Sequence, residues 1–76
     1  MKAKLVWIFS GEGALKTAEH HVIHLKDFSK KEKVNVLEFG IEKQNEFNSI
    51  AFMIVEKDLV NQLRKSLKPH KGFLVE

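Results

Sequence analysis

The hydrophobic period of this chain switches back and forth between two values, and that switching limits the folds open to it more than any other feature. Leu5-Val6-Trp7-Ile8-Phe9 is β-branched and aromatic, and Ser10-Gly11-Glu12-Gly13 after it supplies turn chemistry. From Ala14 the spacing becomes helical. Leu15, Ala18, Val22 and Leu25 recur every three or four residues, with Ala14, His21 and Phe28 broadening the stripe. Lysines at Lys30 and Lys31 suit the negative end of a helix dipole. Strand composition returns over Val34-Asn35-Val36-Leu37-Glu38-Phe39-Gly40-Ile41, and the polar residues from Glu42 to Asn48 are expected to form a turn. A third strand follows over Ser49-Ile50-Ala51-Phe52-Met53-Ile54-Val55. A second helix opens on Glu56-Lys57-Asp58, buries Leu59, Val60, Leu63 and Leu67, and is stopped by Pro69 and Gly72, leaving Phe73-Leu74-Val75 as a closing strand.

The order is therefore β-α-β-β-α-β, and the fold class expected is α+β. Right-handed crossovers in that order give a ferredoxin-like arrangement: a four-stranded antiparallel sheet with both helices on one face. With 76 residues there is room for one core, so a single domain over 1–76 is expected.

Strands one and three are apolar at nearly every position, whereas a sheet with one watery face should alternate. If Leu5, Trp7 and Phe9 point one way, Val6 and Ile8 point the other; likewise Ile50, Phe52 and Ile54 oppose Ala51, Met53 and Val55. The outward set predicts an apolar patch that a partner covers, either a second copy or another protein. A chain this short buries only about 60% of its unfolded surface, so association would also add stability.

Composition narrows the chemistry. There is no cysteine, which removes disulfides, thiolate metal sites and cysteine nucleophiles, and the expected compartment is the reducing cytoplasm. The basic start, Met1-Lys2-Ala3-Lys4, precedes an apolar run too short for a signal peptide, and no stretch is long enough for a membrane span. Thirteen Lys and Arg against ten Asp and Glu, interspersed, read as a solvated surface. Nucleic acid is not the expected partner: the third strand lacks the Lys/Arg-Gly-Phe/Tyr motif of RNA-recognition domains, and Lys71-Gly72-Phe73, a fragment of it, falls on the wrong strand.

Three constellations deserve a chemical test. His20 and His24 lie one helical turn apart with Asp27 at a further i+3, a spacing that could hold zinc or nickel, yet the glutamate of His-Glu-x-x-His is missing and no metal site is assigned. Gly11-x-Gly13 lacks the third glycine of a dinucleotide fingerprint, and no Gly-Lys-Ser/Thr follows it. None of Ser10, Thr17, Ser29, Ser49 and Ser66 sits in a nucleophile-elbow context. No catalytic residue and no cofactor is expected.

Taken together, Ile8-Phe9-Ser10-Gly11, Val34-Asn35-Val36-Leu37 and Gly72-Phe73-Leu74-Val75-Glu76 resemble the Phe-x-Gly, Asn-Ile-Leu and Gly-Val-x-Val-Glu segments of the NIL domain. That domain is a small ACT-like module that closes bacterial methionine-importer ATPases and also occurs alone or beside ferredoxins. The chain departs from its pattern in a longer segment between Gly11 and Asn35, and in Asn48-Ser49 where a glycine usually opens strand three. The resemblance implies a regulatory homodimer binding methionine, or another small apolar amino acid, at its interface. Asn35 would then hold the polar end of the ligand and Ile41 would line its side-chain pocket; an amide offers donor and acceptor, and an apolar wall suits a thioether.

Overall fold

A computed structural model describes residues 1–75. Its elements run β1 (Lys2–Ser10), α1 (Ala14–Lys31), β2 (Val36–Asn45), β3 (Asn48–Glu56), α2 (Val60–Leu67) and β4 (Lys71–Val75), with a single 3-10 turn, Lys57–Leu59, leading into α2. The strands form one sheet in the order β2-β3-β1-β4. Every neighbouring pair is antiparallel. This is the α+β, ferredoxin-like arrangement the hydrophobic periods predict. The Glu76 that closes the Gly72-to-Glu76 segment lies outside the described residues.

The two central strands are the most apolar because they are covered on the helix side along their length. Leu5 and Trp7 of β1 and Ala51, Met53 and Val55 of β3 share one core with Ala18, Val22 and Leu25 of α1 and Leu63 of α2. Placing both helices against the same residues puts them on one face. The α1 stripe that is buried, Ala14, Ala18, Val22 and Leu25, follows the sequence spacing. Leu15 belongs to that spacing but is 38% exposed, at the margin of the stripe.

The ends of the elements are set by local hydrogen bonds. At the end of α1, Lys33 takes φ 54°, the Val34 N–H donates to the Ser29 carbonyl and the Ser29 hydroxyl donates to the Val34 carbonyl. Val34 is thereby held as a buried plug, 8% exposed, and strand two begins at Val36 instead of Val34. The expected turn from Glu42 to Asn48 is also corrected. The ladder continues to Asn45, and only Glu46 and Phe47 turn, because the Asn45 side-chain oxygen accepts from the Phe47 N–H and from the Asn48 amide. Lys43 and Gln44 are polar because they lie exposed on an edge strand. At the other end of the fold, α2 stops at Lys68 in the left-handed region, φ 48°, just before Pro69.

The β1–β4 ladder is lengthened by a side chain. The His70 N–H donates to the Val6 carbonyl, and the Ile8 N–H donates to Nδ1 of the His70 imidazole at 2.7 Å. An edge of β2 and an edge of β4 are left without a neighbouring strand.

Candidate functional site

The sheet face opposite the helices carries Val6, Ile50 and Phe52 as a second apolar cluster, with Ile54 packed against it. Part of this face seals itself. Val6, Ile50 and Phe52 are only 4–8% exposed in the single chain. The Phe52 ring lies across Gly40 on the neighbouring strand, where the missing side chain leaves it room. The Lys4 ammonium sits 4.3 Å from the ring centroid and pairs at 3.4 Å with Glu42 beyond it. The apolar patch that remains open is thus smaller than the sequence count of outward residues: it consists of Ile8, 38% exposed, Phe73, 51% exposed, and half-buried Ile54.

Charge on this face is divided. Glu38 and Glu42 of β2 are paired with Ile54 and Ile50 and share their side of the sheet. On the opposite flank the outer strand β4 carries Lys71, paired with Val6, while Lys4 stands on the central strand β1, paired with Phe73. Acidic residues on one outer strand and Lys71 on the other bracket a middle that is apolar apart from Lys4.

The residues singled out by motif are placed as follows. Asn35 is exposed in the segment that enters β2, and Ile41 is half-buried on the helix side, packed against the main core and paired with Ala51. Five residues lie between the two, a distance of roughly 20 Å along extended chain. A small amino acid cannot touch both within one copy. His20, His24 and Asp27 are all exposed on α1, and among the described residues no three His, Cys, Asp or Glu side chains come together as a metal site. The Gly11 N–H, which a phosphate loop would offer to an anion, is spent on the Phe47 carbonyl at 2.7 Å.

His21 is the histidine that turns inward. Its ring lies 4.9 Å from that of Trp7 and 5.4 Å from that of Phe9, and its buried Nε2 has no hydrogen-bond partner. Desolvation by this burial, with the nearby charges of His24 and His70, pulls its pKa below the ordinary 6.5. The hydroxyl of fully buried Ser49, paired across the sheet with Phe9, is likewise without a partner.

Sequence reasoning missed a cavity. A space of about 320 Å³ opens between α2 and β4, on the helix side of the sheet, floored by Ala3, Leu5 and Gly72 and walled by Val60, Arg64 and Leu74. It exists because α2 is short, with Leu63 its only buried residue, and because two sheet positions diagonal to each other, Ala3 and Gly72, have little or no side chain. No pattern within a local window could reveal it.

No protein-family model matches this chain, and neither a curated protein nor a solved structure is significantly similar to it. Among the described residues no helix is long and apolar enough to cross a membrane.

Proposed function

We propose that this chain is a non-catalytic regulatory or assembly module that acts as a homodimer, two copies meeting through the open faces of their sheets. The observation that carries the reading is the charge division of that face. A two-fold axis running between the faces, parallel to the strands, lays β2 of one copy over β4 of the other. The apolar middles then meet, and Lys71 of each copy comes opposite the interval between the partner's Glu38 and Glu42, since Gly40, Phe52, Val6 and Lys71 are in register. The arrangement is self-complementary, as a two-fold interface must be. A stable interface takes about 800 Å² from each partner, a modest part of the 5286 Å² this small chain exposes.

In its ligand-sensing form the module binds methionine or another small apolar amino acid between copies, as the likeness to NIL domains implies. The Asn35 side chain is exposed and open to such a ligand. Ile41 lies on the helix side of the sheet, so a ligand held between the open faces does not draw on it. Ligand held there stabilises the dimer by mass action.

Light scattering after size exclusion tests the pairing. The mass expected is twice the 8.8 kDa of the chain, and Ile8→Lys, which places a charge at an exposed position of the face, is expected to return it to a single copy with unchanged circular dichroism. A chain that stays single at high protein concentration overturns the proposal. A thermal-shift screen of the free amino acids tests the ligand separately.

A further inference from the structure

The cavity between α2 and β4 has a one-sided chemistry. Its floor, Ala3, Leu5 and Gly72, is apolar. Ala3 is 2% exposed and Leu5 is fully buried, so the floor is closed by the core and the apolar surface open to a ligand is that of Val60 and Leu74. The charged or titratable residues that line the cavity are Arg64, His70 and Lys71, and among the described residues no acidic one lines it. Among the described residues the one ion pair is Lys4–Glu42, on the other side of the sheet, so the Arg64 guanidinium has no carboxylate partner there. His70 is already engaged through Nδ1 with the Ile8 N–H. Lys71 is paired with Val6, whose side chain is on the open face, which leaves Arg64 as the charged side chain belonging to the helix side.

A guanidinium beside an apolar surface selects an anion with a hydrocarbon body. Its planar fork pairs with a carboxylate through two parallel hydrogen bonds. The ammonium of a free amino acid would meet cationic neighbours and no carboxylate. A volume of about 320 Å³ is at the lower end of small-molecule pockets, which run from about 300 to 1,000 Å³, so the body is short. We propose that this cavity binds a short-chain aliphatic monocarboxylate, its carboxylate held by Arg64 and its alkyl part lying against Val60 and Leu74 over Gly72. The site lies on the opposite side of the sheet from the proposed dimer face and does not depend on that pairing.

Titration calorimetry and amide NMR shifts on the full chain test it, with 4-methylpentanoate, its 2-oxo derivative, leucine, 3-methylbutanol and inorganic phosphate as probes. The two carboxylates are expected to bind and to shift the amides of Gly72 and Leu74. Leucine, the alcohol and phosphate should bind at least about tenfold more weakly, because each lacks either the unopposed anion or the apolar body. A preference between the acid and its 2-oxo derivative tells which source the ligand comes from. Arg64→Gln, at an exposed position, should lose at least about tenfold in affinity with the fold intact. Gly72→Leu fills the floor and should abolish binding. Binding that Arg64→Gln leaves unchanged, equal binding of leucine and 4-methylpentanoate, or no binding of either carboxylate overturns the proposal. Because light scattering reads the pairing independently, failure here and failure of the dimer are distinguishable.

Discussion

The ring of Phe52 occupies the space that a side chain on Gly40 would need: a β-carbon there would fall against Cζ, Cε1 and Cε2 of the ring. The glycine on the edge strand and the phenylalanine on the central strand are thus one packing unit, and Lys4 closes it from above. Gly40→Ala must push the ring out of its seat, exposing apolar area and straining a rotamer. The expected loss is about 1–3 kcal/mol, read by urea denaturation. Gly72→Ala is the control, since a β-carbon there would stand 3.5 Å from Leu5, an ordinary contact.

Stability should fall on mild acidification, and His21 should be a cause. Its pKa in the folded chain is lowered from 6.5, mainly by burial. The unfolded chain therefore takes up the proton first. The stability is fully present above pH 6.5 and is lost as the pH falls below that value toward the lowered native one. Denaturation at about pH 7.5 and about pH 5.5 should show this slope, and His21→Phe, which keeps a ring against Trp7 and Phe9, should flatten it. An unchanged slope in the variant would show that another group is responsible.

The Ser49 hydroxyl is fully buried without a partner, so its desolvation is uncompensated. Ser49→Ala removes the hydroxyl while keeping nearly the same volume. A gain of about 1 kcal/mol is expected, visible as a higher denaturation midpoint with unchanged urea dependence; a loss would mean the hydroxyl is satisfied.

How much of this was legible in the sequence differs by element. Helix α1 was read to its ends, because its buried stripe from Ala14 to Leu25 keeps an unbroken helical spacing and lysines close it. Strand β2 was read two residues early and four short. Val34 looks like any strand valine until the Ser29 hydroxyl claims its carbonyl. Lys43 and Gln44 look like a turn because an edge strand exposed to water has no need of apolar residues. Alternation divides β1 and β3 into the two sets of residues that the two apolar clusters hold, without telling which set meets the helices. What alternation cannot reveal is that Phe52 would lie flat on Gly40 and hide much of the outward face. The α2–β4 cavity was illegible for the same reason: it is made of absences, at Ala3 and Gly72, which lie far apart along the chain.

The single tryptophan joins two elements: its indole N–H donates to the Leu67 carbonyl at the end of α2, 3.0 Å away, while its ring is 3% exposed in the core. Trp7→Phe loses that hydrogen bond and part of the ring, a cost of about 2–4 kcal/mol. The same residue reports on itself, since blue-shifted emission that moves red as α2 detaches should accompany unfolding.

A reversal of charge tests the two-fold arrangement directly. Lys71→Glu sets like charges against Glu38 and Glu42 of the partner and should weaken pairing about tenfold or more. Adding Glu38→Lys to it should restore much of the loss. If the double variant associates no better than the single one, the faces do not meet in this register.

The two unpaired strand edges have a further bearing on how copies of this chain could gather. Along β2 the edge carries Glu38, Glu42 and Lys43, and along β4 it holds Lys71 and Gly72, features that discourage strand-by-strand addition. Growth through edges has no natural end and leads toward fibres, whereas contact through faces is complete once two molecules have met. The guarded edges thus steer self-recognition toward a finite object.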